Sequence, residues 1–147
     1  MNGFAHATVG FVGLYGALTG MNAKGLTVSE ANLESDDISF NGFPWILRLR
    51  YIMAYASNLQ EALELWKSTN STVGFNHGIG SGAEKTAVVL ETMAHSNPVF
   101  SSMDEREIQN GGNPRSDAVY RTNHGFDPYT ISHYQVLTHS LAYSLTH

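Results

Sequence analysis

Hydrophobic and polar positions near the start of the chain follow a pattern that predicts a β-hairpin. Residues 10–19 are rich in Gly, Val, Leu and Tyr and are expected to form the first strand. The second strand is expected over residues 26–32, where apolar and polar side chains alternate. Asn22-Ala23-Lys24-Gly25 supplies the loop, in which Gly25 suits a left-handed bulge position.

Apolar residues then recur at helical spacing, which predicts two consecutive helices. Pro44 suits the first turn of the earlier helix, which is expected to run to about Tyr55. The later helix has the clearest start signal, because Ser57 precedes Gln60 at the spacing of a capping box. Its apolar stripe extends to about Lys67.

A second hairpin is predicted from residues 73–80 and 86–91, joined by the polar residues 81–85. The run Ala87-Val88-Val89-Leu90 is dense enough in apolar side chains for a strand that is buried on both faces. Glu91 ends this run, and a buried carboxylate without a partner is costly. The sequence therefore predicts a buried ion pair at Glu91.

The remainder of the chain is less regular. Residues 95–117 are polar and irregular, which is typical of a functional or mobile loop. A short strand is expected at residues 118–122, and helical spacing predicts a helix over residues 130–147. The order hairpin, two helices, hairpin, loop, strand, helix favours an α+β layered fold over a doubly wound one.

The composition is that of one globular domain. The chain has 147 residues, of which 42% are hydrophobic and 11% aromatic. Charged residues make up only 14%, whereas about 25% is usual for a soluble domain. Part of the surface is therefore expected to be covered by something else.

Charge and motif content argue against several classes of protein. The net charge is -5 and the Lys and Arg residues are scattered, so nucleic-acid binding is not expected. No apolar run reaches the roughly 18 residues of a membrane span. The histidines form neither an HExxH motif nor an i, i+4 pair and cysteine is absent, so no metal or cofactor is expected. Asn70-Ser71-Thr72 matches the acceptor motif for N-glycosylation. The motif either arises by chance or indicates that this chain is part of a longer secretory or lysosomal protein.

Two separated segments resemble those of a known family. Gly20-Met21-Asn22-x-Lys24-Gly25-Leu26 is similar to the Gly-Met-Asn-Glu-Lys-Gly-Leu turn of choloylglycine hydrolases and penicillin acyltransferase-like proteins. Thr122-Asn123-His124 resembles the Thr-Asn-His of the acyltransferase branch and the Thr-Asn-Asn of bile-salt hydrolases. The elements between them occur in the family's order, so the resemblance spans roughly residues 10–128.

The resemblance implies an αββα sandwich and cysteine-dependent amide chemistry. In these N-terminal nucleophile hydrolases, the N-terminal cysteine attacks and its own α-amine serves as general base. The oxyanion that forms on the substrate carbonyl needs hydrogen-bond donors. By resemblance Asn123 is the expected donor, and Asn22 is expected to line the same pocket or give a second contact. The alternative for both residues is a turn without a catalytic role.

Five further residues are candidates for the substrate pocket. Tyr15, Phe40, Phe43 and Trp45 are candidates for an acyl pocket, although core packing is the preferred interpretation. His124 adjoins the expected oxyanion donor, but the family needs no histidine base. A structural role, with the imidazole hydrogen-bonded to nearby backbone, is therefore expected for His124.

Two arginines lie on the first predicted helix. Arg48 and Arg50 are expected to be solvated or paired with Glu61 or Glu64. Guanidinium groups also bind carboxylates in a bidentate manner, so binding of a substrate carboxylate is the alternative for both.

The chain contains no cysteine, and Met1-Asn2-Gly3 offers no N-terminal nucleophile. In the family order that cysteine would precede Met1, so residues 1–147 are expected to be a single partial domain, truncated at both ends. The parent is expected to hydrolyse a linear, non-peptide amide or transfer its acyl group, with the nucleophile on a missing N-terminal segment. The chain alone is expected to be inactive. The assignment of both asparagines to one site requires that Asn22 and Asn123 converge on one cleft.

Two other hypotheses stay open at this point. The first is a non-catalytic ligand-binding or assembly module that retains the scaffold. The second is a truncated gene product without independent function, which would expose a large apolar sheet edge.

Overall fold

The computed structural model describes residues 3–134, which form an antiparallel sheet with short helices. The strands are β1 His6–Val9, β2 Thr19–Asn22, β3 Leu26–Asn32, β4 Phe75–Ser81, β5 Thr86–Thr92 and β6 Val99–Phe100. The helices are α1 Trp45–Tyr55, α2 Leu59–Lys67, α3 Glu105–Gln109 and α4 Pro128–His133. The α+β class predicted from the order of elements is confirmed.

The strands lie in the sheet in chain order, and each neighbouring pair is antiparallel. β3, β4 and β5 form the centre of the sheet and are paired along their full lengths. Gly25, with φ of 77°, makes the turn between β2 and β3 in the left-handed conformation predicted for it. Because side chains alternate along each strand, residues paired across the sheet share a face.

Helices α1 and α2 cover one face of this sheet and bury the main core between the two layers. Each large aliphatic or aromatic side chain enclosed there stabilises the fold by about 1.5–3 kcal/mol. The core cluster consists of Ala17, Leu26, Val28, Leu49, Ile52, Met53, Ala56, Ala62, Trp66, Ile79, Val88 and Leu90.

The opposite face of the sheet carries mainly small residues, and no helix layer formed by residues 3–134 covers it. A cavity of about 300 Å³ lies on this face, with Thr27, Ser29 and Gly78 on its floor. Residues 119–121 form its other wall. The sheet therefore has a helix-covered face and an open face, and the segment that carries Asn123 approaches the open face.

No helix within residues 3–134 is long and apolar enough to cross a bilayer.

The predicted strand over residues 10–19 is wrong in its extent. Strands β1 and β2 flank a loop in this region, and the two strands pair with each other. Gly13 adopts φ of 88°, a backbone conformation that interrupts a strand. At Gly16 an added Cβ would lie 2.9 Å from the carbonyl oxygen of Ile46. The glycines therefore serve the turn and its close approach to α1.

The predicted strand over residues 118–122 is absent, and this segment is irregular. The expected polar loop over residues 95–117 instead contains β6 and α3. The predicted helix over residues 130–147 is observed as α4, which ends at His133, and the rest of that prediction beyond residue 134 lies outside the described residues. The helix α1 and the second hairpin agree with the prediction apart from small shifts in their ends.

Helix α2 starts one residue later than the predicted cap. Asn58, not Ser57, caps the helix, and its side chain accepts a hydrogen bond from the backbone N–H of Glu61. The carboxylate of Glu61 in turn accepts from the backbone N–H and the hydroxyl of Ser57. This reciprocal arrangement satisfies N–H groups that the first turn would otherwise leave unpaired.

One titratable side chain lies in the middle of the core. His77 is fully buried, and its ring centroid lies 4.7 Å from that of Trp66 and 5.9 Å from that of Trp45. Burial, with a smaller contribution from the positive charge of Arg48, lowers the pKa of His77 to about 3. The folded protein therefore holds a neutral imidazole at this position across the physiological pH range.

We expect the free energy of unfolding to fall as the pH is lowered through the window between the usual histidine pKa and about 3. In that window the unfolded chain binds a proton at His77 that the folded chain does not bind. Between pH 7 and pH 4, the free energy of unfolding of a His77→Phe variant should fall by roughly 3 kcal/mol less than that of the unaltered chain. Urea unfolding at both pH values measures this difference. An unchanged pH dependence of the free energy of unfolding in His77→Phe would contradict the assignment.

Candidate functional site

The buried carboxylate of Glu91 organises the segment that contains Asn123. Glu91 is 0% exposed and accepts hydrogen bonds from the backbone N–H groups of Phe126 and Asp127, at 2.8–2.9 Å. It also accepts from Nε of Arg121 at 2.9 Å. A carboxylate with this many donors is compensated despite its burial. The buried ion pair predicted at Glu91 is thus present, with Arg121 as the partner.

Arg121 is held on several sides. Its Nη1 donates to Glu107 at 2.5 Å, so one guanidinium lies between two carboxylates. The guanidinium also lies over the rings of Phe100 and Phe126, at 4.4 and 4.9 Å from their centroids. Ion pairing and cation–π contact together fix the backbone immediately before Thr122.

Asn76 holds the same segment from the neighbouring strand. It is the direct cross-strand partner of Glu91, and both side chains point to the open face. The amide of Asn76 donates to the carbonyl oxygens of Thr122 and His124, at 2.7 and 2.8 Å. One donor residue and one acceptor residue side by side on the sheet therefore fix the backbone on both sides of Asn123. We call Asn76, Glu91 and Arg121 the anchor of the segment.

The side chain of Asn123 remains exposed on this fixed backbone. Its Nδ2 donates to the carbonyl oxygen of Asn32 at 2.6 Å, at the end of β3. Within residues 3–134 this is the one acceptor recorded for the amide group, which has two N–H donors. The second N–H is therefore available for an external acceptor.

His124 lies next to this amide but faces Thr122 and Tyr134. Its Nδ1 is 2.8 Å from the hydroxyl of Thr122, and its ring centroid is 6.0 Å from that of Tyr134. The ring is exposed. These contacts orient the imidazole and fit the expectation of a structural role, although the recorded partner is a hydroxyl instead of a backbone group.

The side chain of Asn22, unlike that of Asn123, is buried and makes all of its recorded hydrogen bonds to nearby backbone. Its Nδ2 donates to the carbonyl oxygens of Met53, in the last turn of α1, and of Ala56, directly after that helix, at 3.0 and 2.8 Å. Its Oδ1 accepts from the backbone N–H groups of Lys24 and Leu26, both at 3.0 Å. Both amide N–H groups are thus used internally, and Asn22 fastens the β2–β3 turn to the end of α1.

The structure does not bring the two asparagines together. Asn22 binds the first residue of β3, Leu26, whereas Asn123 binds the last, Asn32. A seven-residue strand separates these ends by about 20 Å at the usual rise per residue. The single cleft expected to contain Asn22 and Asn123 is therefore not formed, because the amide of Asn22 is directed at α1.

The expected pocket residues are also divided between locations. Tyr15 and Phe43 line one cavity of about 450 Å³ on the outer side of α1. Trp45 packs instead on Phe75, with ring centroids 4.2 Å apart, in the layer between α1 and the sheet. Trp45 therefore has the core-packing position that was the alternative to a pocket. Tyr15 is 73% exposed, so core packing does not describe it.

Another cavity begins beside the carbonyl group that Asn123 binds. It has a volume of about 450 Å³ and is walled by the chain after β3 and the chain before β4. The lining residues are Asn32, Leu33, Glu34, Ser35, Ile38, Val73, Gly74 and Phe75. Asn32 was not among the residues singled out from the sequence, because its nearness to Asn123 depends on the fold.

The prediction for Arg48 is wrong. Arg48 is buried, and it donates to the hydroxyl of Ser71 at 2.7 Å and to the carbonyl oxygen of Asn70. Glu61 binds Ser57 instead of an arginine.

Arg50, on the outer side of α1, lies 4.6 Å from the centroid of the Tyr15 ring. Glu64, its other expected partner, accepts a hydrogen bond from Gln60. The contact that the structure records for Arg50 is therefore a cation–π contact.

A second buried carboxylate joins the loop after β3 to two later segments. Asp37 accepts from the backbone N–H of His95 at 3.0 Å, contacts its Nδ1 at 2.5 Å, and accepts from the hydroxyl of Tyr129 at 3.3 Å. Burial alone would raise the pKa of Asp37, but the hydrogen bonds and charge of His95 and the hydroxyl of Tyr129 outweigh it and lower this pKa. No group of three or more metal-ligating side chains occurs in the described part of the chain.

The fold is shared with solved N-terminal nucleophile hydrolases. Two variant structures of conjugated bile acid hydrolase from Clostridium perfringens match at 20% identity, with TM-scores of 0.50 and 0.51, over 68% and 69% of this chain and 36% of theirs. Penicillin V acylase from Agrobacterium tumefaciens matches at 16% identity and a TM-score of 0.51, over 65% of this chain and 36% of its own. The part of this chain that matches thus spans about 36% of the length of each.

The sequence places the chain within this class. The family described as acyl-coenzyme A:6-aminopenicillanic acid acyl-transferase matches residues 2–142, and the chain belongs to that family. A search of curated proteins gave no match. The resemblance stated from the two asparagine motifs is thereby confirmed at the level of family and fold.

We expect Glu91→Gln to destabilise the fold by about 3 kcal/mol, because it leaves Arg121 buried with one carboxylate partner fewer. Urea unfolding of the variant measures the loss. The matched control is Glu105→Gln on the exposed side of α3, which should change the free energy of unfolding by less than about 0.5 kcal/mol. Equal stability of the two variants would show that the anchor does not depend on the Glu91 charge.

We expect Asn22→Ala to lower the free energy of unfolding by about 2–4 kcal/mol, because four hydrogen bonds to backbone groups are lost at a buried position. Asn123→Ala, at an exposed position, should cost less than about 1 kcal/mol. Thermal and urea unfolding of both variants provide the comparison. The reverse order of stabilities would overturn the internal role of Asn22.

Proposed function

We propose that residues 1–147 supply the oxyanion side and part of the substrate pocket of an N-terminal-cysteine amide hydrolase or acyltransferase. The substrate is a linear, non-peptide acyl amide. The observation that carries the proposal is an exposed asparagine amide, Asn123, on a backbone fixed by Asn76 and Glu91. Membership of the acyltransferase family supports the reaction class.

The chemistry needs a donor at a fixed position. The cysteine thiolate attacks the amide carbonyl carbon, and the carbonyl oxygen becomes negatively charged in the tetrahedral intermediate. The C–N bond then breaks, the amine leaves with a proton from the α-ammonium group, and a thioester remains. Water or an acceptor amine attacks the thioester and regenerates the thiol. A neutral amide N–H that is already oriented stabilises the oxyanion without reorganisation.

Asn123 meets this requirement better than Asn22. One N–H of Asn123 binds the carbonyl of Asn32, which sets the direction of the other. Asn22 has no N–H to offer, since both bind the end of α1. We assign Asn22 to the support of the scaffold, Asn123 to the oxyanion, and Asn32 to the orientation of the Asn123 amide.

The cavity that starts at Asn32 is the best candidate for the acyl group. Ile38, which is 55% exposed, and Phe75 provide apolar walls next to the oxyanion donor. Tyr15 and Phe43 line a different cavity. We assign them either to contact with a part of the substrate remote from the reacting carbonyl or to contact with a segment outside residues 1–147. A cavity with some apolar wall beside a fixed polar group is a common form of small-molecule site.

The nucleophile comes from a segment outside these residues, because the sequence has no cysteine. The test uses the complete gene product that contains this chain. Incubation with an acyl amide, followed by mass spectrometry, should reveal a covalent adduct of the acyl mass on an N-terminal cysteine. A complete gene product without cysteine, or one that binds the amide and never forms the adduct, would favour a non-catalytic binding module.

In that complete protein we expect Asn123→Ala to lower kcat by about 10²–10³-fold with a much smaller change in KM, as for other single oxyanion donors. Asn41→Ala is the matched control, because Asn41 is an exposed asparagine in the loop before α1. Steady-state kinetics on both variants separate the two parameters. Full activity of Asn123→Ala alongside adduct formation would remove Asn123 from the mechanism while leaving the reaction class in place.

A further inference from the structure

A buried arginine lies beneath a cavity on the helix-covered face of the sheet. Arg48 is 1% exposed, and no carboxylate within residues 3–134 forms an ion pair with it. Its hydrogen-bond partners are neutral: the hydroxyl of Ser71 and the carbonyl oxygen of Asn70. Its Nε has no acceptor among the described residues. A buried guanidinium without a counterion carries a desolvation cost of several kcal/mol.

The electrostatic effect of this burial is visible in the surroundings. Desolvation lowers the pKa of Arg48 to about 10. The positive charge of Arg48 also contributes to the low pKa of His77, which is buried beside the same aromatic ring, Trp66. The guanidinium carbon of Arg48 lies 4.5 Å from the centroid of that ring. The region therefore holds an uncompensated positive charge.

The groups that contact Arg48 are also the wall of the cavity. Ser71, 3% exposed, accepts from Arg48 and donates to the side-chain oxygen of Asn97. The indole N–H of Trp66 donates to the same Asn97 oxygen at 3.1 Å. Trp66, Asn70, Ser71 and Asn97 all line the cavity, which has a volume of about 400 Å³. A relay of hydrogen bonds thus leads from the buried cation to the cavity.

The rest of the cavity has an apolar floor and a rim that carries one lysine. Leu63, Leu90 and Val99 provide the floor. Lys67, in the last turn of α2, is exposed at the rim, and His95 is fixed there by Asp37. The cavity is large enough for a ligand of modest size, and its lining combines an apolar surface with positive charge at one side.

We propose that this cavity binds a small carboxylate with a branched apolar tail, as a site separate from the one at Asn123. The carboxylate compensates the charge of Arg48 through Ser71 and Asn97 and contacts Lys67 directly, while the tail lies on Leu63, Leu90 and Val99. Leu90 and Glu91 are consecutive on β5 and point to opposite faces. The sheet therefore separates this cavity from the anchor of Asn123.

The probe is 4-methylpentanoate, compared with the neutral 4-methylpentanamide of the same shape. Titration calorimetry on the unaltered chain should show binding of the carboxylate, with the amide at least about tenfold weaker, because the neutral amide does not compensate the charges of Arg48 and Lys67. The Trp66 indole N–H resonance, assigned with Trp66→Phe, should shift on binding. Equal affinity of the two probes, or no binding of the carboxylate at tens of millimolar, would overturn the proposal.

Two variants test the charges. Arg48→Met should weaken carboxylate binding about tenfold or more and change the affinity for the amide much less, because the cation beneath the cavity is lost while the apolar floor is kept. Arg50→Met, on the outer side of the same helix, is the control and should not alter either affinity. If Arg48→Met does not fold, Lys67→Met decides: a severalfold loss of carboxylate affinity supports the site, and unchanged affinity contradicts it.

Discussion

Three donor groups converge on the buried carboxylate of Glu91, and the position of the 121–127 segment follows from that convergence. Glu91 lies at the end of a strand that is paired along its full length, so its carboxylate is held rigidly by the sheet. Asn76, its cross-strand partner, binds the carbonyl groups of the same segment. The sheet thus fixes the backbone of an irregular loop, as the oxyanion role proposed for Asn123 requires.

Much of the fold is readable from local pattern. The alternation along β3 identifies that strand because one of its faces is buried and the other exposed. β1 was missed because its side chains are mostly exposed and give no such alternation. The segment 118–122 has the composition of a strand, yet the carbonyl group of Thr122 binds the side chain of Asn76 on β4, and the side chain of Arg121 binds Glu91 on β5. Partners so distant in sequence do not enter a prediction that is made from neighbouring residues.

The same limit applies to the candidate site. Asn123 could be identified because its flanking residues carry a family resemblance. The use of Asn22 depends on carbonyl groups at the end of α1, 31 and 34 residues away, and the family motif does not reveal that contact. Asn32 meets Asn123 across a separation of 91 residues, so no spacing rule points to it. Glu91 was predicted to be paired because burial of a strand end requires it, although its partner was not identifiable.

The anchor also constrains the order in which the chain can fold. Its contacts join residues 30 to 48 positions apart, from Glu91–Arg121 to Asn76–His124. Loops of that length close at an entropic cost that is recovered only when the partner side chains are already fixed. Asn76 and Glu91 become neighbours once β4 pairs with β5, a local event with a short turn. We therefore expect the hairpin to form before the segment with Asn123 becomes ordered.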